Sequence, residues 1–395
     1  MRIAVFLILF GFAGQLTVVV AQDKSKKNNQ WIRNDAFDGW ISLFHGNPGY
    51  GWRAVTNANW SCVDNRDLTV SRGQAGLLRS TTQFDDFSIR LQFKATPRTN
   101  SGVFIRTSPS PNSPLEGCYE INIAPQSNSY PTGSIVGRVK GTVIKDFDYS
   151  IWHRMEISAI GNTISVKIDG QKTSVYRDPK PIRKGYIGLQ FNQGAVAFRN
   201  IYLKPEGLVS LFNGKSLAGW KEYPEMKSKF SAEGGVLNVK DGSGQLETKN
   251  LYQNFVMQLK VKTNAPKLNS GIFFRCIPGE KMNGYESQIQ NGIIDNDRSR
   301  PEDCGTGGIF RRKNARIVPA NDQEWFIKTL VVDGPHVATW VNGEQVCDWT
   351  DQRKPDANPR KGLRLKAGTI MIQGHDPTTD IDFKDLLIRE MKSRR

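Results

Sequence analysis

The chain reads as an all-β protein made of two tandem antiparallel sandwiches or jelly rolls, and three observations predict this. The first is alternation. Phe87, Ile89, Leu91, Phe93 and Ala95 alternate with Ser88, Arg90, Gln92 and Lys94, and Phe255, Met257, Leu259 and Val261 repeat the pattern, the period of a strand with one apolar face. The second is turn chemistry. Ile164, Val166 and Ile168 lead into Asp169-Gly170, and the stretch from His336 to Val341 leads into Asn342-Gly343; both dipeptides suit the type I′ hairpin turn, which needs positive φ at two successive residues. Helical periodicity is nearly absent.

The third observation is duplication. NSGVFIR at Asn100–Arg106 returns as NSGIFFR at Asn269–Arg275, and Tyr119-Glu120 returns as Tyr285-Glu286. LFHGN at Leu43 matches LFNGK at Leu211, TGSI at Thr132 matches TGGI at Thr306, Trp152 matches Trp325, and FRNI at Phe198 matches FKDL at Phe383. The offsets run from 166 to 185 residues in one order, drifting through small insertions. Two units of this length are paired domains, since a solenoid needs shorter and more numerous repeats. The domains are placed at 37–204 and 208–391, joined by Pro205-Glu206-Gly207.

Residues 1–21 carry one basic residue, Arg2, and an apolar run through Val20, with Val19 and Ala21 suited to the small-residue positions before a cleavage site, which predicts a cleaved signal peptide. Secretion or periplasmic location follows as an expectation, with no integral membrane span once the leader is removed. Residues 22–36 read as a polar linker, and the basic tail Lys392–Arg395 as frayed. The formal charge of +16 attracts anionic surfaces. No nucleic-acid motif accompanies it, and nucleic acid is not an expected partner. The five cysteines are odd in number, differ in position between the copies and show no CxxC spacing, so neither a disulfide framework nor a zinc site is indicated. Asp295, Asp297, Glu302 and Asp303 form an acidic loop. Calcium would suit such oxygens, but the spacing matches no EF-hand, and no cofactor is expected.

The strands at Asn269–Arg275 and Tyr285–Ile289 concentrate the chemistry. Glu286, Gln288 and Gln290 alternate with Tyr285, Ser287 and Ile289, which puts a carboxylate and amides in one row. Left to itself, that row reads as the solvated face of a sheet. Its partial recurrence in the other copy argues for more.

These residues resemble the 3-keto-disaccharide hydrolase family. The family's marks are LFNGK-L-GW at Leu211–Trp220, N-S-G-hydrophobic-F-x-R at Asn269–Arg275, Y-E-x-Q-I at Tyr285–Ile289, E-W at Glu324-Trp325, H-x-x-x-W-x-N-G at His336–Gly343, and Q-x-H-D at Gln373–Asp376 before Phe383. All lie in the second copy. The resemblance implies a concanavalin A-like jelly-roll fold in each half and cleavage of 3-keto-glycosides, including a 1,2-lyase route with hydration of the resulting glucal. The first copy departs from the pattern. Asn122 stands where Gln288 does, and Thr163 and Asn192 stand where His336 and His375 do, so the first domain reads as a degenerate copy and the second as the catalytic one.

A 3-keto sugar needs one base for the C2 proton, a group to stabilise the enolate oxygen and an acid for the leaving group. The expected catalytic residues are Glu286, His375 and His336; the expected substrate-binding residues are Arg275, Gln288, Trp340 and Gln373. Arg275 could equally be a partner of Glu286. His336 and Trp340 share one strand face, as do Gln373 and His375, and the set forms one site if both faces look into the concavity that holds Glu286. A non-catalytic carbohydrate-binding protein is the alternative, because jelly rolls serve lectins and enzymes alike.

Overall fold

A computed structural model describes residues 35–111 and 113–394. The expected signal peptide at 1–21 and most of the linker at 22–36 lie outside the described residues. Each half is a two-sheet antiparallel sandwich, and the two halves share one topology. In the first, an eight-stranded sheet runs Gln171–Arg177, Thr163–Ile168, His153–Ile160, Phe87–Ala95, Val196–Pro205, Asp67–Val70, Ser61–Val63, with Ile41–Ser42 also pairing on Val196–Pro205. A five-stranded sheet faces it in the order Trp52–Ala54, Gly76–Phe84, Gly185–Phe191, Ser101–Thr107, Tyr119–Ile123.

The second half repeats both orders: Glu344–Thr350, His336–Val341, Phe326–Asp333, Phe255–Thr263, Asp380–Glu390, Val236–Lys240, Lys229–Glu233, against Trp220–Lys221, Gly244–Thr248, Thr369–Gly374, Ser270–Cys276, Tyr285–Ile289. Both predicted hairpins form. Asp169 and Gly170 sit at φ 48° and 82°, Asn342 and Gly343 at φ 50° and 80°, as a type I′ turn requires. The strand Phe87–Ala95 alternates buried and half-buried residues along most of its length. By contrast, Ser270–Cys276 and Tyr285–Ile289 are buried at every position, so the Glu286 row is not a solvated face.

The two sandwiches pack closely. Val256, Val331, Ala338, Trp340 and Met391 of the second half belong to the apolar cluster that forms the first half's core. Trp340 donates from Nε1 to the Ser42 carbonyl at 2.9 Å, and Lys184 pairs with Asp333 at 2.6 Å, both groups buried. The described part of the tail is anchored, contrary to its expected fraying: Arg394 donates to the carbonyls of Thr107, Lys184 and Gly117 at 3.0, 2.9 and 2.5 Å. All five cysteines are free thiols.

Candidate active site

In the five-stranded sheet of the second half, Ile272, Phe274, Tyr285, Ile289, Ile370 and Ile372 face the core. Alternation turns Gly271, Phe273, Glu286, Gln288, Met371 and Gln373 to the opposite face. Gly271 pairs with Gln288, Phe273 with Glu286 and with Met371, Gln245 with Gln373, and Glu247 with Met371. Two cross-strand rows result. One reads Gln245, Gln373, Gly271, Gln288; the other reads Glu247, Met371, Phe273, Glu286.

The glycine gap in the amide row is a steric requirement. A Cβ on Gly271 would lie 2.6 Å from Oε1 of Glu286, so the glycine of the NSG strand makes room for the carboxylate of the neighbouring strand. Gln288 donates to Asn269 Oδ1 and Asp303 Oδ2, both at 3.0 Å. Its own side-chain oxygen and that of Gln373 are buried without a donor. Buried acceptors are normally satisfied, and two orphans in one row are what a ligand's hydroxyls would complete.

Glu286 is 8% exposed and borders a cavity of about 170 Å³ lined also by Phe310, Arg311, Arg312 and Arg360. Among the described residues none donates a hydrogen bond to its carboxylate. Burial pushes its pKa up to about 7, against the pull of Arg360, Lys328 and Arg311. Both protonation states are therefore populated near neutrality, the condition a general base needs.

Sequence reasoning misses Lys328. In the strand Phe326–Asp333, Phe326, Leu330 and Val332 supply an apolar face, and Lys328 occupies the remaining position on it, 0% exposed. Its ammonium donates to the carbonyls of Ser287 and Gln288 at 2.7 and 2.8 Å, beneath the strand that carries Glu286. A lysine in the apolar phase of an alternating strand is the signal that could have found it, sharpened by Met155 at the same place in the first copy: Met155 pairs with Leu91 as Lys328 pairs with Leu259.

Other expectations are corrected. Arg275 does not pair with Glu286. It sits in a bulge at φ 48°, fully buried, and donates to the carbonyls of Gln253 and Arg364 and to Asn254 Oδ1 at 2.9, 3.2 and 3.0 Å. Arg106 does the same work in the first copy, at φ 47° with carbonyls of Asp85, Gly161, Ile182 and Ala159. His336 and Trp340 lie at the junction of the two halves. His336 Nε2 meets Thr82 Oγ1 at 3.0 Å and Nδ1 meets Thr350 Oγ1 at 3.1 Å, because their strand belongs to the eight-stranded sheet and its outward face is covered by the first domain. His375 lies just past the strand Thr369–Gly374, with a 40% exposed side chain and Nδ1 2.8 Å from Asp376. Glu286, Gln288 and Gln373 are the expected site residues that the sheet does bring together.

A second carboxylate on the same face, Glu247, is three strands away from Glu286, roughly 14 Å at ordinary strand spacing. That exceeds the span of a glycosidase acid pair, and Glu247 is committed to Tyr223, Thr369 Oγ1 and the Gly279 amide. Asp303, which accepts a hydrogen bond from Gln288, is the carboxylate whose charge acts on Glu286. Elsewhere in the acidic loop Asp295 pairs with Arg300 and Glu302 with Lys267 at 2.5 and 2.6 Å.

A larger cleft of about 700 Å³ lies at the domain junction. Its arginines are mostly spoken for: Arg90 by Asp35, Arg66 by Asp67, Arg154 by Glu156 and Arg316 by Glu344. The smaller cavity is the one that the Glu286 carboxylate borders.

In the first copy the matching rows read Leu77, Gln190, Gly102, Asn122 and Arg79, Gly188, Phe104, Glu120. The carboxylate over a glycine is kept, and burial again pushes Glu120 up to about 7. The surrounding charge is not: Met155 replaces Lys328, and the loop 124–131 contains no acid.

Both β-sandwiches set a carboxylate against a glycine of the neighbouring strand, Glu120 against Gly102 and Glu286 against Gly271, and the family match makes this a carbohydrate-active class of protein. The family described as the 3-keto-alpha-glucoside-1,2-lyase-like domain matches residues 39–204 and again 207–389, and the chain belongs to it. Solved structures that it resembles include a "putative glycosyl hydrolase" from Parabacteroides distasonis, 24% identical with a TM-score of 0.40, covering 47% of this chain and 95% of that one. A second from the same organism is 25% identical with a TM-score of 0.38, covering 47% and 100%. The β-glucanase of Bacillus licheniformis is 17% identical with a TM-score of 0.32, covering 42% and 97%. No curated protein matches the chain.

Proposed function

We propose that the protein is an exported enzyme that cleaves 3-keto-glycosides through its second domain, with Glu286 as the base. The observation that carries this reading is the Glu286 carboxylate: buried, without a donor and titrating near neutrality beside a cavity. In a 3-keto sugar the C2 hydrogen is α to the ketone. Glu286 takes that proton, and the C–H electron pair becomes an enolate on the C3 oxygen. When the enolate collapses, the ketone re-forms, the C1–C2 double bond forms and the C1–O bond breaks. The leaving oxygen takes a proton, and water then adds across C1–C2 to give the free 3-keto sugar. Arg311 and Arg360 at the cavity wall offer positive charge to the enolate oxygen, and the orphan oxygens of Gln288 and Gln373 accept from sugar hydroxyls.

Asp303 favours a second reading, direct displacement at C1 by a Glu286 and Asp303 pair. Incubating the protein with a 3-keto-disaccharide and its unoxidised parent in deuterium oxide, with NMR detection, separates the two. The expected result is cleavage of the keto sugar alone, with deuterium at C2 of the product and loss of turnover in Glu286→Gln. Cleavage that leaves C2 hydrogen unexchanged moves the assignment to direct displacement. Binding of both sugars with turnover of neither makes the protein a lectin.

A further inference from the structure

A lysine is among the side chains least often buried, and an ammonium removed from water is costly unless an opposite charge acts on it. Lys328 is fully enclosed. Its direct partners are two neutral carbonyls, of Ser287 and Gln288, and the carboxylate whose charge acts on it is Glu286. A second copy of the same sandwich shows what the position is when packing alone decides it: Met155, an apolar side chain of similar length. The lysine is therefore not demanded by the fold.

We propose that Lys328 is a positioning residue for Glu286, a buried counter-charge that anchors the Ser287 and Gln288 carbonyls and biases the carboxylate toward its ionised form. The inference rests on the reading of Glu286 as the base only for its consequence in turnover. The charged groups facing Glu286 are Lys328 from beneath the strand, Arg360 and Arg311 at the cavity wall, and Asp303 from the acidic loop; those facing Lys328 are Glu286 and the Cys304 thiol. Burial draws Lys328 down to about 7 while it pushes Glu286 up to about 7, so both change charge over one pH range. In the first copy Glu120 has Gln190 as its partner and no lysine beneath it.

The test is reciprocal, because coupling between two sites is felt equally by both. In the full-length chain, Lys328→Met copies the other domain and Lys328→Gln serves as a second neutral variant. The Glu286 carboxyl is followed by 13C NMR, its signal assigned by its absence in Glu286→Gln. Its midpoint is expected to rise by about one pH unit in either lysine variant, the smaller end of the shift that an opposite charge produces. Conversely, in Glu286→Gln the Lys328 ammonium, followed by 15N-edited NMR, is expected to lose its proton at lower pH than in the wild type. Midpoints that do not move in either direction overturn the proposal, whatever happens to turnover. A moved midpoint with an unmoved acid limb of the rate profile supports the coupling and removes Glu286 from the role of base, so the two readings fail separately.

Discussion

At the residue scale, the site is a compromise between packing and charge. A carboxylate raised from its ordinary 4.5 to about 7 by burial is favoured protonated in the folded state. Its contribution to stability is full below pH 4.5 and is lost as pH rises through about 7. Glu286→Gln is therefore expected to be more stable than the wild type above pH 7, by up to roughly 3 kcal/mol, and equal to it at pH 4. Urea melts at the two pH values check this. Gly271→Ala meets the same carboxylate at 2.6 Å and must push it aside. Turnover is expected to fall by about a hundredfold, the scale of a 1 Å misplacement, with near-native circular dichroism; an unchanged rate would remove the glycine gap from the account.

At the element scale, the bulges at Arg106 and Arg275 turn a strand end into a clamp. Each guanidinium reaches loop carbonyls that would otherwise be buried without donors. Arg275→Met is expected to cost about 3 kcal/mol, within the range for leaving several buried acceptors unpaired. Lysine should not rescue it, because one ammonium cannot reproduce the planar fork. A ligand-binding arginine would instead raise KM with little change in the melt, and the two measurements together decide between these roles.

At the scale of the whole molecule, the halves share part of one core. Trp340 fills the first half's core from the second, and Trp340→Ala is expected to cost about 3–5 kcal/mol while lowering the melting of both halves together. His336 adds a pH dependence to the junction. Burial holds its pKa below the ordinary 6.5, partly offset by Asp348 and Asp333. Its stabilising contribution is present above pH 6.5 and is lost as pH falls through the depressed value. His336→Asn should flatten the acid side of the stability curve. The second half cut away from the first would expose Trp340, Val331 and Ala338.

The sequence by itself determined the two-fold architecture, the hairpins and the placing of Glu286 and Gln288 on one strand face. Each of these follows from local periodicity or turn chemistry, and strand alternation dictates which residues share a face whatever the partner strand. Which faces meet was decided only by the tertiary structure. Two histidines and a tryptophan on strands look alike as site residues in sequence, yet His336 and Trp340 sit in the other sheet and are covered by the first domain, and His375 stays outside the row. Lys328 became visible as a member of the site because a residue 42 positions after Glu286 is brought under it by packing one sheet on another. Charge acts through space, and spacing along the chain carries no record of what a folded sandwich places face to face.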